Sequence, residues 1–315
     1  MHLVIGSAGY AGRSAIAALG AHFPVRGVEL GDDLGAAMAG VDTVHLATDL
    51  HPPLRRLRWE ARPDPTLVEI VRAARQAGAR RLVHLSTAQV LGPAPRTVLL
   101  ESNPPRPDHP YEKLHARDEH WLLLQRGIEV VILRPAQGFG LGEPISERLL
   151  SGLGDGRPLL VAGAPRRTFL AGSDLGRAFV AGALRGRPGH SYLLGGFAST
   201  WAELFKVAAV ALKVPVRFAE ASYDLLYLRT ALREWRTPPG RVCWPNRYVV
   251  DVLGRGHLLE DGISRRELSW SPTIGSFDEG LGELIEGIRT RRLGERASGS
   301  PQRTDGENVP GREPT

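Results

Sequence analysis

The sequence predicts an α/β protein built on a doubly wound parallel sheet, with a smaller C-terminal lobe. Three observations carry this expectation. A short apolar run, Leu3-Val-Ile5, leads directly into Gly6-Ser-Ala-Gly9-Tyr-Ala-Gly12. Through the first 140 residues, strand-like runs alternate with segments of helical period, the pattern of parallel βαβ units. Beyond Gly140 that pattern loosens into stretches punctuated by Gly and Pro, as expected of a lobe appended to the sheet.

Taken in order, Leu3–Ile5 is the first strand, and Ala15, Ile16 and Leu19 recur at helical spacing after it. Val25–Val28 and Asp42–Ala47 read as the second and third strands. The stretch 66–77 is helical, with Leu67, Ile70, Val71 and Ala74 on one face. Arg81–Leu85 is a strand, 111–125 a helix and Val130–Leu133 a strand. Parallel strands joined in this way form the open Rossmann-type sheet, which takes ligands at its carboxyl edge. In the C-terminal part, Thr200-Trp-Ala-Glu203 has capping-box spacing and opens a helix to Leu212. Further helices are expected over 222–235 and 277–291. The expected organisation is a dinucleotide-binding part over 1–140, to which 174–196 returns, and a mainly substrate-binding lobe over 141–296. The residues 297–315 are rich in Gly, Ser and Pro, and are expected to be disordered because they have almost nothing to bury.

Composition narrows the function classes. Hydrophobic residues make up 42% and charged residues 23% of the 315, as in ordinary globular proteins. No run approaches the roughly 18 apolar residues of a membrane span, and the N-terminus lacks the basic start of a secretory signal. Cys243 is the single cysteine, which rules out an intrachain disulfide and fits a reducing cytoplasm. The pI is 9.9, but the basic residues are almost all arginines scattered among 34 carboxylates. A nucleic-acid binder would gather its charge on one face, so no nucleic-acid partner is expected. The sequence admits a homodimer without specifying one.

Three motifs carry chemistry. The first is Gly6-x-x-Gly9-x-x-Gly12. Glycines between a strand and a helix let backbone N–H groups approach a pyrophosphate, and the helix N-terminus adds its positive end. Arg13, in the first helical turn, is placed to reach a phosphate. The second is Glu29, at the end of the second strand, where a carboxylate can accept both adenosine ribose hydroxyls and would repel a 2′-phosphate. This favours NAD over NADP as cofactor. Asp32 or Asp33 is placed to meet the adenine amino group. Only residues 30–41 separate Glu29 from the third strand, too few for the further strand and helix that would normally fit there. The third motif is Ser86-Thr87 at a strand end together with Tyr111 at a helix start: a phenol for proton transfer, and a hydroxyl to hold a substrate oxygen.

The ordered set of motifs resembles the extended short-chain dehydrogenases/reductases, the group of NAD-dependent epimerases/dehydratases, dihydroflavonol reductases and 3β-hydroxysteroid dehydrogenases. The set runs from Gly6-x-x-Gly9-x-x-Gly12 through Val44-His-Leu-Ala47, Leu82–Gly92, Pro110-Tyr111, Leu133-Arg134-Pro135 and Ser173-Asp174-Leu175 to Ser264–Pro272. The resemblance covers residues 2 to 293. It implies that Gly6, Gly9 and Gly12, with Tyr10 and Ala11 between them, cradle the pyrophosphate, and that Glu29 holds the ribose. Ala47 would lie along the cofactor, and Pro135 to Gln137 would border the nicotinamide. Thr87 would take the slot of the catalytic Ser/Thr, and Tyr111 would be the acid/base. The family pattern is Tyr-x-x-x-Lys, and here the four-residue step from Tyr111 lands on His115. Residues i and i+4 share a helix face, so His115 points where the lysine would. Lys113 is turned about 200° away round the helix. An imidazole can donate to a ribose hydroxyl, but at its ordinary pKa it is largely neutral at pH 7.

Two functional readings follow. One is an NAD(H)-dependent oxidoreductase or epimerase acting on an alcohol or ketone carbon, its substrate a hydrophobic alcohol or ketone or else a nucleotide sugar. The other is a catalytically weak or inactive NAD(P)-binding sensor or interaction protein, favoured by His115 and by the short segment after Glu29. The aromatic residues Trp201, Phe205, Tyr223, Tyr227, Trp235 and Trp244 enrich the C-terminal lobe. At helical spacing they read first as core, and as pocket walls they would suit an apolar substrate.

Overall fold

A computed structural model describes residues 1–93, 98–151, 153, 159–215, 219–282 and 285–286. The chain opens with β1 (His2–Ile5), α1 (Tyr10–Gly20), β2 (Val25–Val28), the single turn α2 (Leu34–Ala37), β3 (Thr43–Leu46), α3 (Pro65–Gln76) and β4 (Arg81–Leu85). It continues with β5 (Val98–Leu100), α4 (Pro110–Leu123), β6 (Glu129–Pro135), β7 (Gln137–Phe139), α5 (Pro144–Ser151), β8 (Leu159–Val161), β9 (Arg167–Ala171), α6 (Gly172–Arg185) and β10 (His190–Leu194). The last part holds β11 (Phe197–Ser199), α7 (Trp201–Leu212), β12 (Ala219–Ala221), α8 (Tyr223–Arg236), α9 (Arg247–Gly254), β13 (Leu258–Glu260), α10 (Gly262–Leu268) and α11 (Phe277–Gly280). The expected helix at 277 begins where the sequence places it. Most of its continuation, and the whole of 297–315, lies outside the described residues.

The main sheet has six strands in the order β2-β1-β3-β4-β6-β10, all parallel. The fold is thus the α/β, Rossmann-type parallel sheet the sequence predicts. Its inner strands β1, β3, β4 and β6 are buried on both faces, as a parallel sheet covered by helices requires. Leu3 and Ile5 pack with Leu67, Ile70 and Val71 of α3, while Val4 between them packs with Ala15 of α1 and Phe179 of α6. The strand order reverses at β1, with β2 on one side and β3 on the other, so the ligand crevice of such a sheet opens at the carboxyl ends of β1 and β3. β2 is a sheet edge. The short segment after Glu29 holds only α2, capped by Asp33, whose Oδ1 accepts from Ala36 N–H at 3.1 Å. The strand that the sequence suggested was missing is absent.

β7, β9 and β11 form a small sheet beside the main one. Around it gather Phe139, Phe169, Trp201, Phe205 and Phe277 in a second core. The Thr200 capping box forms as predicted: Thr200 Oγ1 accepts from Glu203 N–H, and Glu203 Oε2 accepts from Thr200 N–H, each at 3.1 Å. The motif Ser173-Asp174-Leu175 meets the C-terminal signature directly. The fully buried Asp174 carboxylate accepts from the Thr273 and Ile274 amides at 3.1 Å, and Trp270 Nε1 donates to the Asp174 carbonyl at 3.1 Å. Two segments about a hundred residues apart are therefore tied at the end of α6. Among the described residues, no helix is long and apolar enough to cross a membrane.

Candidate active site

The turn after β1 is shaped by two glycines. Gly6 has φ +82°, and a Cβ there would lie 2.3 Å from Thr48 Cβ. A Cβ on Gly12 would lie 1.9 Å from the Gly6 carbonyl oxygen. Both positions therefore need glycine for the protein's own packing. Gly9 differs, since a Cβ there would meet only Gly6 O, at 3.4 Å, an ordinary contact. Gly9 is the N-cap of α1 and offers no side-chain cap, and no acidic residue occupies the first turn. The first amides of a helix have no intrahelical acceptor, so this end of α1 is open to an anion.

Glu29 reaches back over the loop, and its Oε1 accepts from Ala8 N–H at 2.7 Å and from Ser7 Oγ at 2.8 Å. Its own amide donates to Asp32 Oδ2 at 2.8 Å. Asp32 and Asp33 thus each have a local turn or cap to hold, Asp32 under Glu29 and Asp33 at α2. Arg13, though exposed, donates to the carbonyls of Ala8 and Leu141 and so fastens the loop. Tyr10 donates to the Phe139 carbonyl at 3.0 Å, joining α1 to the small sheet, and burial pushes its phenol far up.

A cavity of about 310 Å³ lies at the carboxyl edge. Gly9, Tyr10, Ala11, Ala47, Thr87, Tyr111, His115, Pro135 and Gln137 all line it. Gly6, Gly12, Glu29, Asp32 and Asp33 do not. Thr87 ends the segment after β4, where its Oγ1 accepts from Gln89 N–H at 3.2 Å. Pro110 at the first turn of α4 sets the helix start, and the i, i+4 step then puts Tyr111 and His115 on the same wall, their ring centroids 4.7 Å apart. Lys113 is exposed on another face of α4.

Three further ionisable cavity residues were not singled out from the sequence: Asp49, Glu143 and Tyr248. Asp49 bridges the two expected catalytic groups. Tyr111 Oη donates to Asp49 Oδ2 at 3.0 Å, and His115 Nε2 lies 3.1 Å from Asp49 Oδ1. The His51 amide donates to the same Oδ1 at 2.8 Å and fixes the carboxylate. The available signal was position: Asp49 follows Ala47 by two residues, just beyond the carboxyl end of a strand beside the switch point, where ligands bind.

The electrostatics differ from the sequence expectation of a largely neutral histidine. Burial works against the His115 imidazolium, but the charge and hydrogen bond of Asp49, with Glu119 and Asp118 beyond, outweigh it and raise the pKa above its ordinary value. Burial likewise opposes the Asp49 carboxylate, yet His115 and the His51 amide hold its pKa below the usual range. Tyr111 moves the other way. Burial, and then the Asp49 charge, push the phenol well above its ordinary pKa. Glu143 is buried, which raises its carboxyl, while it accepts from Ser146 N–H at 2.6 Å and from Gln137 Nε2 at 3.2 Å.

With the geometry in place, the relatives are informative. A sequence profile of the NAD dependent epimerase/dehydratase family matches residues 66–195. A dTDP-glucose 4,6-dehydratase of Streptomyces niveus is 28% identical over 293 residues, covering 88% of this chain and 78% of that protein. Another, from Streptomyces griseus, is 31% identical over 258 residues, covering 76% of this chain and 70% of that protein. A UDP-glucuronic acid 4-epimerase from Bacillus cereus, crystallised with UDP-glucuronic acid and NAD, has a TM-score of 0.72 at 17% identity, covering 92% of this chain and 99% of that one. At that identity the likeness bears on the fold.

Proposed function

The chain belongs to the NAD-dependent epimerase/dehydratase family of extended short-chain dehydrogenases, and from that premise we propose that it is an NAD(H)-dependent enzyme acting on an alcohol or ketone carbon. The observation that carries this reading is a single cavity lined by the Tyr111 phenol, the Thr87 hydroxyl and the open N-terminus of α1 at Gly9. The Gly9 position, with space for a Cβ and no protein side chain filling it, fits a bound pyrophosphate. Glu29 at the sheet edge fits a ribose, favouring NAD over NADP. When bound, a nicotinamide would supply the hydride chemistry. The protein's part is to bind, orient and manage a proton. Thr87 would hold the substrate oxygen, and Tyr111 would exchange a proton with it.

The described cavity wall carries the carboxylates of Asp49 and Glu143, with the His115 imidazole paired to Asp49, and no arginine or lysine. That supports an uncharged, largely apolar alcohol or ketone over a substrate bearing a diphosphate. The curated relatives, named for dTDP-glucose, keep a nucleotide sugar as the competing substrate class. The second reading, a binding protein with little turnover, is supported by one specific feature: the carboxylate beside Tyr111 opposes its ionisation, where the family lysine would favour it. The deciding experiment offers NADH with a panel of hydrophobic ketones and nucleotide sugars to the wild type and to Tyr111→Phe. Ketone-dependent NADH oxidation that is lost in Tyr111→Phe supports the enzyme. Tight NADH binding with no turnover across the panel favours the binding protein.

A further inference from the structure

We propose that Asp49 is the positioning residue that stands in for the family's helix lysine, receiving the proton of Tyr111 while a substrate hydroxyl gives its own proton to the phenolic oxygen. This rests on the enzyme reading above and adds to it the route of the proton. A phenol has one hydroxyl hydrogen. In the structure that hydrogen is directed to Asp49 Oδ2 at 3.0 Å, so the lone pairs of Tyr111 Oη are what the cavity meets. The substrate group matched to them is a donor, the O–H of an alcohol. The other carboxylate oxygen is held by the His51 amide at 2.8 Å and by His115 Nε2 at 3.1 Å. The carboxylate therefore cannot turn away from Tyr111 without giving up both contacts.

The step balances without a free tyrosinate. In alcohol oxidation the substrate O–H bond breaks and a new Tyr111 O–H bond forms. The old Tyr111 O–H bond breaks and an Asp49 Oδ2–H bond forms. The carbonyl double bond forms as the C–H electron pair leaves as hydride to an oxidised nicotinamide, the electron acceptor this reading names. Reduction runs the same bonds backward. Avoiding the tyrosinate matters, because a phenolate beside Asp49 would place two negative charges within hydrogen-bonding distance. His115 lies on the far oxygen, where its positive form balances the carboxylate between turnovers.

The surrounding charges set the pH response. His51 is paired with Asp118 at 2.7 Å, and its ring meets that of His115 edge-on at 5.3 Å. Glu119 is paired with Arg134, and Arg117 with Asp118. His84, on β4, is buried, and neither ring nitrogen has a hydrogen-bond partner among the described residues. Tyr248, from α9, stacks obliquely on Tyr111 at 4.4 Å, and Glu143 lines the same cavity.

The test compares the full-length wild type with Asp49→Asn and Asp49→Glu. Ring-labelled histidine NMR of the protein without cofactor should show the His115 titration midpoint falling by about one pH unit or more in Asp49→Asn and recovering in Asp49→Glu. With NAD and an alcohol substrate, Asp49→Asn should lose about 100-fold or more in kcat across the pH range while its NAD affinity stays level, and Asp49→Glu should regain part of the rate. An unmoved His115 midpoint, or an Asp49→Asn enzyme with the wild-type rate and pH profile, overturns the proposal alone. A wild type that binds NADH and turns over nothing overturns the enzyme reading and this proposal together.

Discussion

The Glu29 carboxylate accepts a hydrogen bond from the backbone N–H of Ala8 at 2.7 Å, so the residue proposed to read the ribose is also tied to the loop proposed to hold the phosphates. A 2′-phosphate brought to this edge would meet a fixed negative charge. NADH should therefore bind at least about fivefold more tightly than NADPH, and Glu29→Gln should narrow the gap. Fluorescence titration with both nucleotides measures it, and equal wild-type affinities would remove Glu29 from the ribose.

The three loop glycines should separate by mutation. Gly9→Val places its side chain where the protein has space and the pyrophosphate is expected. It should keep a near-normal circular dichroism spectrum and melting temperature while losing dinucleotide binding. Gly12→Ala, whose Cβ would lie 1.9 Å from Gly6 O, should instead lower the melting temperature outright. Retained binding in Gly9→Val would put the dinucleotide elsewhere.

Acid should destabilise the fold early. Burial drives the pKa values of His45, His84 and His257 each down to about 3. A lowered histidine is neutral in the folded state and takes up its proton on unfolding. Its stabilising effect is complete above the unfolded pKa near ~6.5 and is lost as pH falls below that. Between about pH 7.5 and 5.5 the three together should remove about 4 kcal/mol. His115, whose folded pKa is raised, works in the opposite sense and offsets part of this. Urea unfolding at the two pH values checks the sign, and His84→Leu should reduce the drop by about 1.4 kcal/mol.

The Asp49–His115 pair reverses the expected effect of a lysine. Because Asp49 keeps His115 charged toward higher pH, His115→Lys should change alcohol oxidation little in mildly acidic buffer. Above the histidine's own titration, where only the lysine stays charged, it should slow oxidation, because a permanent cation makes Asp49 a poorer acceptor for the Tyr111 proton. Rate profiles of the two proteins that run parallel at all pH values would show that the charge at position 115 does not act on the reaction.

Much of this architecture is legible because its signals are local. Leu3–Ile5 before a glycine turn, Leu67 and Ile70 on one helical face and the capping box at Thr200 each lie within a few consecutive residues. The step from Tyr111 to His115 is local too, and it put both on one cavity wall. The short span after Glu29 showed that a further strand and helix would not fit there. Asp49 was not legible in the same way. It sits in an irregular loop, its partners Tyr111 and His115 lie more than sixty residues away, and only the tertiary fold joins them. Tyr248 reaches the cavity from α9, later still in the chain. The raised pKa of His115 follows from that same distant contact, which is why spacing alone suggested a neutral imidazole.

The central claim is that hydride passes between NAD(H) and a substrate carbon in the cavity that holds Tyr111. Its most direct test uses NADH deuterated at the hydride-donating carbon, incubated with the protein and a panel of ketones, with the alcohol products read by mass spectrometry. The account predicts an alcohol carrying one deuterium from the wild type, and none from Tyr111→Phe even though that variant still binds NADH. Bound NADH that yields no deuterated alcohol from any ketone, or deuterium transfer undiminished in Tyr111→Phe, would contradict it.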